Sequence, residues 1–212
     1  MTKKLFWKNP YQAELETTVT SIEGNCITLK ETIFFAFSGG QESDGGLING
    51  IKVINAQKNG KEIFYTLEQE PNFLVSNVVS VKIDWARRYS LMRLHFAAEL
   101  VLVVCQKIFL GIEKIGAHIS QEKSRIDFLW SESIASKLKL IEEEVNKLIE
   151  KDLKIISDFS DEENERRFWC IEGLAKIPCG GTHPKTTKEL GSIKLKRENS
   201  GKGKERVVIF LT

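Results

Sequence analysis

Residues 179–184 (CGGTHP) constrain the fold of this chain more than any other segment. Cys179 and His183 lie four positions apart, and thiolate and imidazole are ligand types that zinc prefers. Two ligands supply half of a tetrahedral site, so the rest must come from elsewhere in the chain. His95 and Glu99 form a second pair at positions i and i+4 of a predicted helix, a spacing that puts both side chains on one face. We therefore expect a fold that brings the two pairs together around one metal ion.

Two further motifs accompany these pairs. Residues 37–44 (FSGGQESD) form a glycine-rich segment, and residues 124–128 have the sequence SRIDF. Together with the HxxxE and CGGTH pairs, they resemble the editing domain of alanyl-tRNA synthetase and its free-standing relatives, the AlaX proteins. That family carries a GGGQP-type segment, an HxxxH pair on a helix, an R-x-D-F strand and a CGGTH-like loop. The resemblance covers nearly the whole chain, including the basic tail of residues 186–211.

The sequence departs from the family pattern at three positions. Glu99 stands where the family usually has its second histidine, Ser38 replaces the first glycine of the loop, and Glu42 replaces its proline. The first departure concerns the metal site, since a carboxylate oxygen would take the place of an imidazole nitrogen. The other two concern the shape of the loop. His118, the remaining histidine of the chain, is the alternative nitrogen donor if Glu99 does not bind the metal.

The resemblance implies an aminoacyl-tRNA deacylase, a carboxylic ester hydrolase that acts in trans. Such an enzyme would cut the ester that joins serine or glycine to the terminal adenosine of mischarged alanine tRNA. The implied cofactor is one zinc ion per chain, which would orient the substrate or activate water. The implied zinc ligands are His95, Glu99, Cys179 and His183.

The resemblance also implies where the tRNA binds. The glycine-rich loop lacks side chains, which would let the tRNA 3′ end lie against the backbone with an amide near the aminoacyl group. The implied substrate-binding residues are Gly39, Gly40, Gln41 and Thr182. The implied phosphate contacts in the tail are Lys202, Lys204 and Arg206. Without the resemblance, the same loop would be interpreted as a plain β-turn and the same basic residues as solvated surface groups.

Two other functions stay open at this point. In the first, Glu99 marks a degenerate metal site, and the protein is a non-catalytic tRNA-binding protein. In the second, the zinc is purely structural, and its loss would unfold the protein instead of only silencing it. Metal content and a deacylation assay on alanine tRNA charged with serine, glycine or alanine distinguish these functions.

Composition sets the broader limits. The chain has 212 residues, of which 42% are hydrophobic and 28% charged, and its net charge of +2 provides no global attraction to nucleic acid. The charge is uneven, because residues 185–206 carry eight Lys or Arg against three Glu, while residues 141–165 carry ten acidic residues against three Lys. The four cysteines lack the spacing of a disulfide framework, and no apolar run is long enough to cross a membrane. We expect a cytoplasmic monomer without membrane contact.

The predicted fold class is α+β. Residues 1–84 are expected to form a small N-terminal β-barrel-like domain that carries the glycine-rich loop, because short β-branched runs alternate with turn signals such as Asn59-Gly60. Strands are predicted at 15–22, 26–29, 34–37, 50–56, 62–67 and 78–83.

Residues 85–212 are expected to form the zinc-binding α+β editing domain, an antiparallel sheet covered by helices. A helix is predicted from 90 to about 109, where Gly and Pro are absent. A second helix, capped by Ser131, is predicted to run to about 157, followed by an acidic loop at 158–165. Strands are predicted at 111–119, 124–129 and 167–172, with a closing hairpin of 193–196 and 207–211 across a flexible tip at 200–203.

Overall fold

The structure is a computed structural model that describes residues 1–199 and 201–212. Strands and helices are both present, and the strands are mostly antiparallel, so the predicted α+β class is confirmed. The chain divides into two compact units, which are Met1–Ser38 with Glu42–Tyr89, and Gly39–Gln41 with Ser90–Thr212.

The first unit is built on strands that pair in a ring. Its strands are β1 (Lys3–Lys4), β2 (Glu14–Glu23), β3 (Cys26–Leu29), β4 (Glu31–Thr32), β5 (Gly46–Ile48), β6 (Ile51–Asn59), β7 (Glu62–Leu67) and β8 (Val78–Ile83). The pairing order is β2-β3-β7-β6-β5-β8, and β8 pairs again with β2. Side chains alternate across each strand, so Ile63 and Tyr65 of β7 point into the apolar core while Phe64 faces solvent. This ring is the barrel-like architecture predicted for the N-terminal part of the chain, but the glycine-rich segment Gly39–Gln41, which was expected to belong to it, falls in the second unit.

The strand predicted at 34–37 is wrong. Ile33, Phe34, Phe35 and Ala36 are all buried, whereas a strand on a barrel wall would alternate between core and solvent. Phe37 then emerges from the core and forms an isolated bridge to Gln57 of β6. The aromatic run is therefore a buried connection, and its apolar character reflects burial on all sides and not sheet pairing.

A buried ion pair holds this connection. Arg88 and Asp44 are both fully buried and form a salt bridge. Asp44 Oδ2 also accepts the backbone N–H of Phe35 at 2.7 Å, and Arg88 Nη2 donates to the carbonyl oxygen of Ile33 at 2.6 Å. Side chains thus satisfy the backbone groups that a sheet ladder would otherwise satisfy.

Helix α1 (Trp85–Ile108) follows β8. It begins after Asp84, whose Oδ1 accepts the backbone N–H of Arg87 at 3.0 Å, as an N-cap side chain does. Lys107 in the last turn suits the negative end of the helix dipole. The uninterrupted helical run carries His95 and Glu99 on one face, as predicted.

The second unit contains two sheets and a second helix. Its elements after α1 are β9 (Glu113–Ile119), β10 (Ser124–Leu129), α2 (Leu138–Glu150), β11 (Ile156–Asp161), β12 (Arg166–Ile171), β13 (Ala175–Pro178), β14 (Ile193–Asn199) and β15 (Lys204–Leu211). One sheet has the order β14-β15-β10-β9 and the other β11-β12-β13. Apolar side chains of α1, α2 and both sheets form one core. The predicted closing hairpin is present as β14 and β15; of its predicted flexible tip, Ser200 lies outside the described residues.

Two sequence predictions fail around α2. The helix ends at Glu150, not near 157, and the chain is already extended as β11 where an acidic loop was expected. Asp152 has a positive φ of 51°, a left-handed conformation that stops a helix. Ser131 does not cap the helix, since the N-cap position is Lys137, after a short 3-10 turn. Across the described residues, no helix has the length and apolar content needed to span a membrane.

Candidate metal centre

Three donor atoms converge within the second unit. Cys179 Sγ lies 3.3 Å from Nε2 of His95 and 3.3 Å from Nε2 of His183. These three donor atoms all lie within 4.8 Å of one another, although α1 supplies His95 and the loop after β13 supplies the other two. Both histidines are buried. A thiolate and two imidazoles at this spacing could hold a metal ion, and they are ligand types that zinc prefers.

Gln41 fixes the tautomer of His95. Its Oε1 lies 2.5 Å from His95 Nδ1 and 3.4 Å from the backbone nitrogen of Thr182, and its Nε2 donates to Thr182 Oγ1 at 3.0 Å. A backbone N–H only donates, so the atom facing it must be the amide oxygen. That oxygen can only accept, and His95 Nδ1 must therefore carry a proton. The other ring nitrogen of His95, Nε2, faces the cluster.

His183 is oriented in the same way. Its Nδ1 lies 2.9 Å from the hydroxyl oxygen of Ser157 on β11, which leaves Nε2 directed at Cys179. The ring also packs edge-on against Phe96 of α1, with centroids 5.4 Å apart. Protein sites usually hold a metal-binding histidine through its second nitrogen in this manner. Both imidazoles are therefore preorganised with their Nε2 atoms inward.

Glu99 lies beside the three-donor cluster. Its Oε1 is 3.5 Å from His95 Nε2 and 3.8 Å from Cys179 Sγ. Its other oxygen accepts the indole N–H of Trp169 at 2.9 Å. Burial alone would raise the pKa of Glu99, but the hydrogen bonds and charge of His95, with the bond from Trp169, outweigh burial and lower the pKa to about 2. An ionised oxygen thus faces the cluster.

Cys179 and His95 each favour the charged form of the other. Burial raises the pKa of the Cys179 thiol, yet the two imidazoles outweigh it and lower the pKa to about 5. Burial lowers the pKa of His95, whereas the Cys179 and Glu99 anions outweigh it and raise the pKa to about 10. The thiolate is the form of cysteine that binds metal. A cation placed among these groups would relieve the buried negative charge that they carry.

The CGGTH loop needs a glycine at its third position because of close approach. A Cβ on Gly181 would collide with the imidazole ring of His95, whereas one on Gly180 would meet nothing within 4 Å. The loop is tied to β12, since Cys179 N donates to the carbonyl oxygen of Arg167 at 2.9 Å. Of the two glycines, only Gly181 is therefore required for the three donor residues to meet.

The short segment Gly39–Gln41 joins the edge of β9. The backbone N–H of Ile119 donates to the carbonyl oxygen of Gly40 at 2.8 Å. Gln41 forms an isolated parallel bridge to Ile119. Gly40 has a φ of 86°, and a Cβ there would collide with the Ala117 carbonyl oxygen. Glycine at this position lets the segment press against β9 and carry the Gln41 side chain to His95.

The other predicted site residues lie apart from the cluster. His118 is on β9, opposite Arg125 of β10, and is not among the three residues whose donors converge. Lys202 and Lys204 are exposed at the β14–β15 connection. Arg206 of β15 forms a salt bridge with Asp127 of β10, in which Nε lies 2.5 Å from Oδ1.

Sequence inspection missed Ser157 and Trp169. These two residues are direct cross-strand partners of β11 and β12, so their side chains lie on the same face of the sheet. One contacts His183 and the other Glu99. The alternating apolar pattern around Trp169 predicted the strand, but the pairing register that brings these side chains to the cluster is not encoded locally.

Comparison with known proteins identifies the family of this chain. Residues 170–208 match the family model described as the threonyl and alanyl tRNA synthetase second additional domain. The alanyl-tRNA editing protein AlaX-M of Pyrococcus horikoshii is 35% identical, covering 100% of this chain and 98% of its own. AlaX-M of Saccharolobus solfataricus is also 35% identical, with 98% coverage of both chains. The alanine–tRNA ligase of Methanococcus aeolicus is 32% identical over 97% of this chain but only 25% of its own length. The resemblance seen in the motifs is thus confirmed, and the chain belongs to the AlaX family of alanyl-tRNA editing proteins.

Proposed function

We propose that this protein is a zinc-dependent deacylase that removes serine or glycine from mischarged alanine tRNA. It would act in trans in the cytoplasm, with tRNA as its partner, and as a monomer. Its zinc ligands would be His95, Cys179 and His183, with Glu99 as the fourth. Substrate would meet the Gly39–Gln41 segment and Thr182.

One observation carries the proposal. The Nε2 atoms of both histidines point at the Cys179 sulfur, while Gln41 and Ser157 occupy their Nδ1 atoms. Two buried imidazole nitrogens and one partly buried thiolate thus face a common point, where a metal ion could replace the protons that they share. The donor set of two nitrogens, one sulfur and a neighbouring carboxylate suits zinc.

Hydrolysis of the labile aminoacyl ester requires few catalytic groups from the protein. The oxygen of water adds to the ester carbonyl carbon, and the bond from that carbon to the ribose oxygen breaks, with a proton going to the ribose. When bound, zinc supplies Lewis-acid polarisation and lowers the pKa of water. The chain's own residues hold the labile ester in place, and positioning of this kind lowers the barrier considerably.

Thr182 is suited to recognise serine. The side chain is buried, and its oxygen accepts a hydrogen bond from Gln41 Nε2, so its hydroxyl proton can still be donated. A serine hydroxyl could accept that proton, while alanine would leave the buried group unpaired. This difference would spare correctly charged tRNA.

The test is release of amino acid from alanine tRNA charged with serine, glycine or alanine. We expect release of serine or glycine at rates well above alanine. Cys179→Ala should lose bound zinc and slow release by more than about 100-fold, since loss of an outer-sphere partner alone costs about 10–100-fold. Cys170→Ala, which removes a half-buried cysteine outside the cluster, is the matched control and should behave as wild type.

Each alternative has its own outcome. Equal release of serine and alanine would refute the proofreading role. Binding of tRNA without release from any charged species would identify a non-catalytic tRNA-binding protein. A wild-type protein that purifies without zinc and still releases serine would overturn the metal assignment.

A further inference from the structure

The first unit contains an open pocket that the metal centre does not use. Its volume is about 540 Å³. The lining residues that matter here are Phe37, Glu42, Asn55, Gln57, Lys58 and Arg87. These side chains combine an aromatic ring, two cations, one anion and two amides.

Phe37 gives the pocket an aromatic face. Its side chain is 53% exposed, directly after four residues that are buried. The isolated bridge to Gln57 fixes its backbone. A half-exposed aromatic ring on a paired backbone is the kind of platform on which proteins stack unpaired nucleic acid bases.

The cations of the pocket are held in place. Lys58 Nζ lies 5.5 Å above the ring of Trp7, within the range of a cation–π contact. Arg87 donates to Glu42 through Nη2 at 2.7 Å and to the carbonyl oxygen of Ser43 through Nε at 3.0 Å. Two cations and one carboxylate leave a net charge of +1. That charge matches a single phosphodiester better than a polyphosphate.

The two amides complete the set. Asn55 and Gln57 are exposed on β6, and each amide offers both a donor and an acceptor. Such groups can pair with the edge of a base whichever polar pattern it presents.

We propose that this pocket binds one nucleotide of a single-stranded RNA 3′ end, with the base stacked on Phe37 and its phosphodiester at Lys58. The choice of RNA rests on the proposed function, since Phe37 precedes Gln41 by only four positions in the sequence. A free nucleotide shares the same chemistry and is the competing source of ligand.

The test measures binding of a fluorescent RNA hairpin that ends in the single-stranded CCA tail of tRNA, beside the same hairpin with a blunt end. Wild type should bind the tailed hairpin more tightly. Phe37→Ala should weaken that binding about tenfold, the size of one lost stacking contact, and Phe37→Trp should retain it. A plot of log affinity against log salt concentration should become shallower for Lys58→Gln, by about the amount expected for the loss of one phosphate contact. Leu74→Ala removes an exposed apolar side chain of the same unit outside the pocket and serves as control.

Two results would overturn the inference. One is a Phe37→Ala affinity equal to wild type. The other is AMP or CMP binding as tightly as the tailed hairpin and with the same dependence on Phe37, which would assign the pocket to free nucleotides. The deacylation assay separates this inference from the proposed function. Binding that depends on Phe37 without amino acid release would refute only the function, and release with an unchanged KM in Phe37→Ala would refute only the pocket.

Discussion

Gln41 accepts two N–H groups through one amide oxygen, those of His95 Nδ1 and the Thr182 backbone. It is fully buried, and its amide nitrogen also holds the Thr182 hydroxyl. One side chain thus sets the tautomer of a proposed zinc ligand and the position of the proposed serine-recognition group. The family resemblance implies an amide of Gln41 near the aminoacyl group, and its contacts indicate that it would also act through its neighbours.

Replacing Gln41 should therefore weaken metal binding without removing a ligand. We expect Gln41→Ala to lower zinc affinity about 10–100-fold, because His95 loses the partner that fixes its ring. Competition with a chromophoric chelator measures the affinity. Gln57→Ala, which removes an exposed glutamine of the first unit, should leave it unchanged. Equal affinities in both variants would contradict the orienting role.

Variants of Glu99 test whether its carboxylate takes the metal-binding role of the family's second histidine. Its Oε1 faces His95 and Cys179, so we expect Glu99→Ala to lower zinc affinity and deacylation together, and Glu99→His to keep the metal. His118→Ala should have no effect on affinity, given its place on β9. If zinc affinity instead falls in His118→Ala and is unchanged in Glu99→Ala, the fourth ligand is His118. Unchanged affinity in both alanine variants would indicate a three-ligand site with water as the fourth.

At the scale of elements, Asp127 joins two neighbouring strands by charge. This β10 residue pairs with Arg125 of its own strand and with Arg206 of β15. Burial raises the pKa of Asp127, but hydrogen bonds from Arg206 and Arg125 outweigh it, and the pKa lies below its ordinary value. A lowered folded-state pKa means that the ionised carboxylate stabilises the fold above about pH 4, and that this contribution disappears as the pH falls through the folded pKa.

We expect Asp127→Asn to lower the free energy of unfolding by about 1–3 kcal/mol at pH 7. The difference from wild type should shrink progressively below about pH 4. Urea titrations at a series of pH values measure it. Glu198→Gln removes a weaker contact to Arg206, at 3.9 Å, and should cost much less. A difference that persists unchanged at low pH would show that charge is not the cause.

Sequence patterns predicted some elements better than others, for physical reasons. Helix α1 was predictable from Ser90 onward because a long run without Gly or Pro carries its own propensity, whereas its first residues, Trp85–Tyr89, and the Asp84 cap were not predicted. The end of α2 was not, because Ile155 and Ile156 continue the apolar pattern while Asp152 adopts a left-handed turn. The HxxxE and CxxxH pairs were visible as local spacings. Ser157 and Trp169 reach the cluster through strand pairing, and Gln41 does so through an isolated bridge to Ile119; local patterns specify neither.

At the scale of the whole molecule, the question is whether zinc would hold the protein together or only serve its chemistry. Small zinc modules unfold without metal because they have little other core. Here the second unit has an extensive apolar core of its own, which includes Phe96 and Trp169 next to the cluster. The first unit has a separate core that contains none of the proposed ligands.

We therefore expect chelation of zinc to abolish deacylation while the protein stays folded. The far-UV circular dichroism spectrum should be preserved, and the melting temperature should fall by a limited amount. The reason is that a ligand stabilises only through its own binding, by about 2.7 kcal/mol when its free concentration is 100 times its Kd. The two measurements must be made on one chelated sample, and readdition of zinc should restore both activity and melting temperature. Loss of the spectrum at 25 °C on chelation would instead identify a structural zinc site, because the apolar core would then have proved too weak to keep the second unit folded.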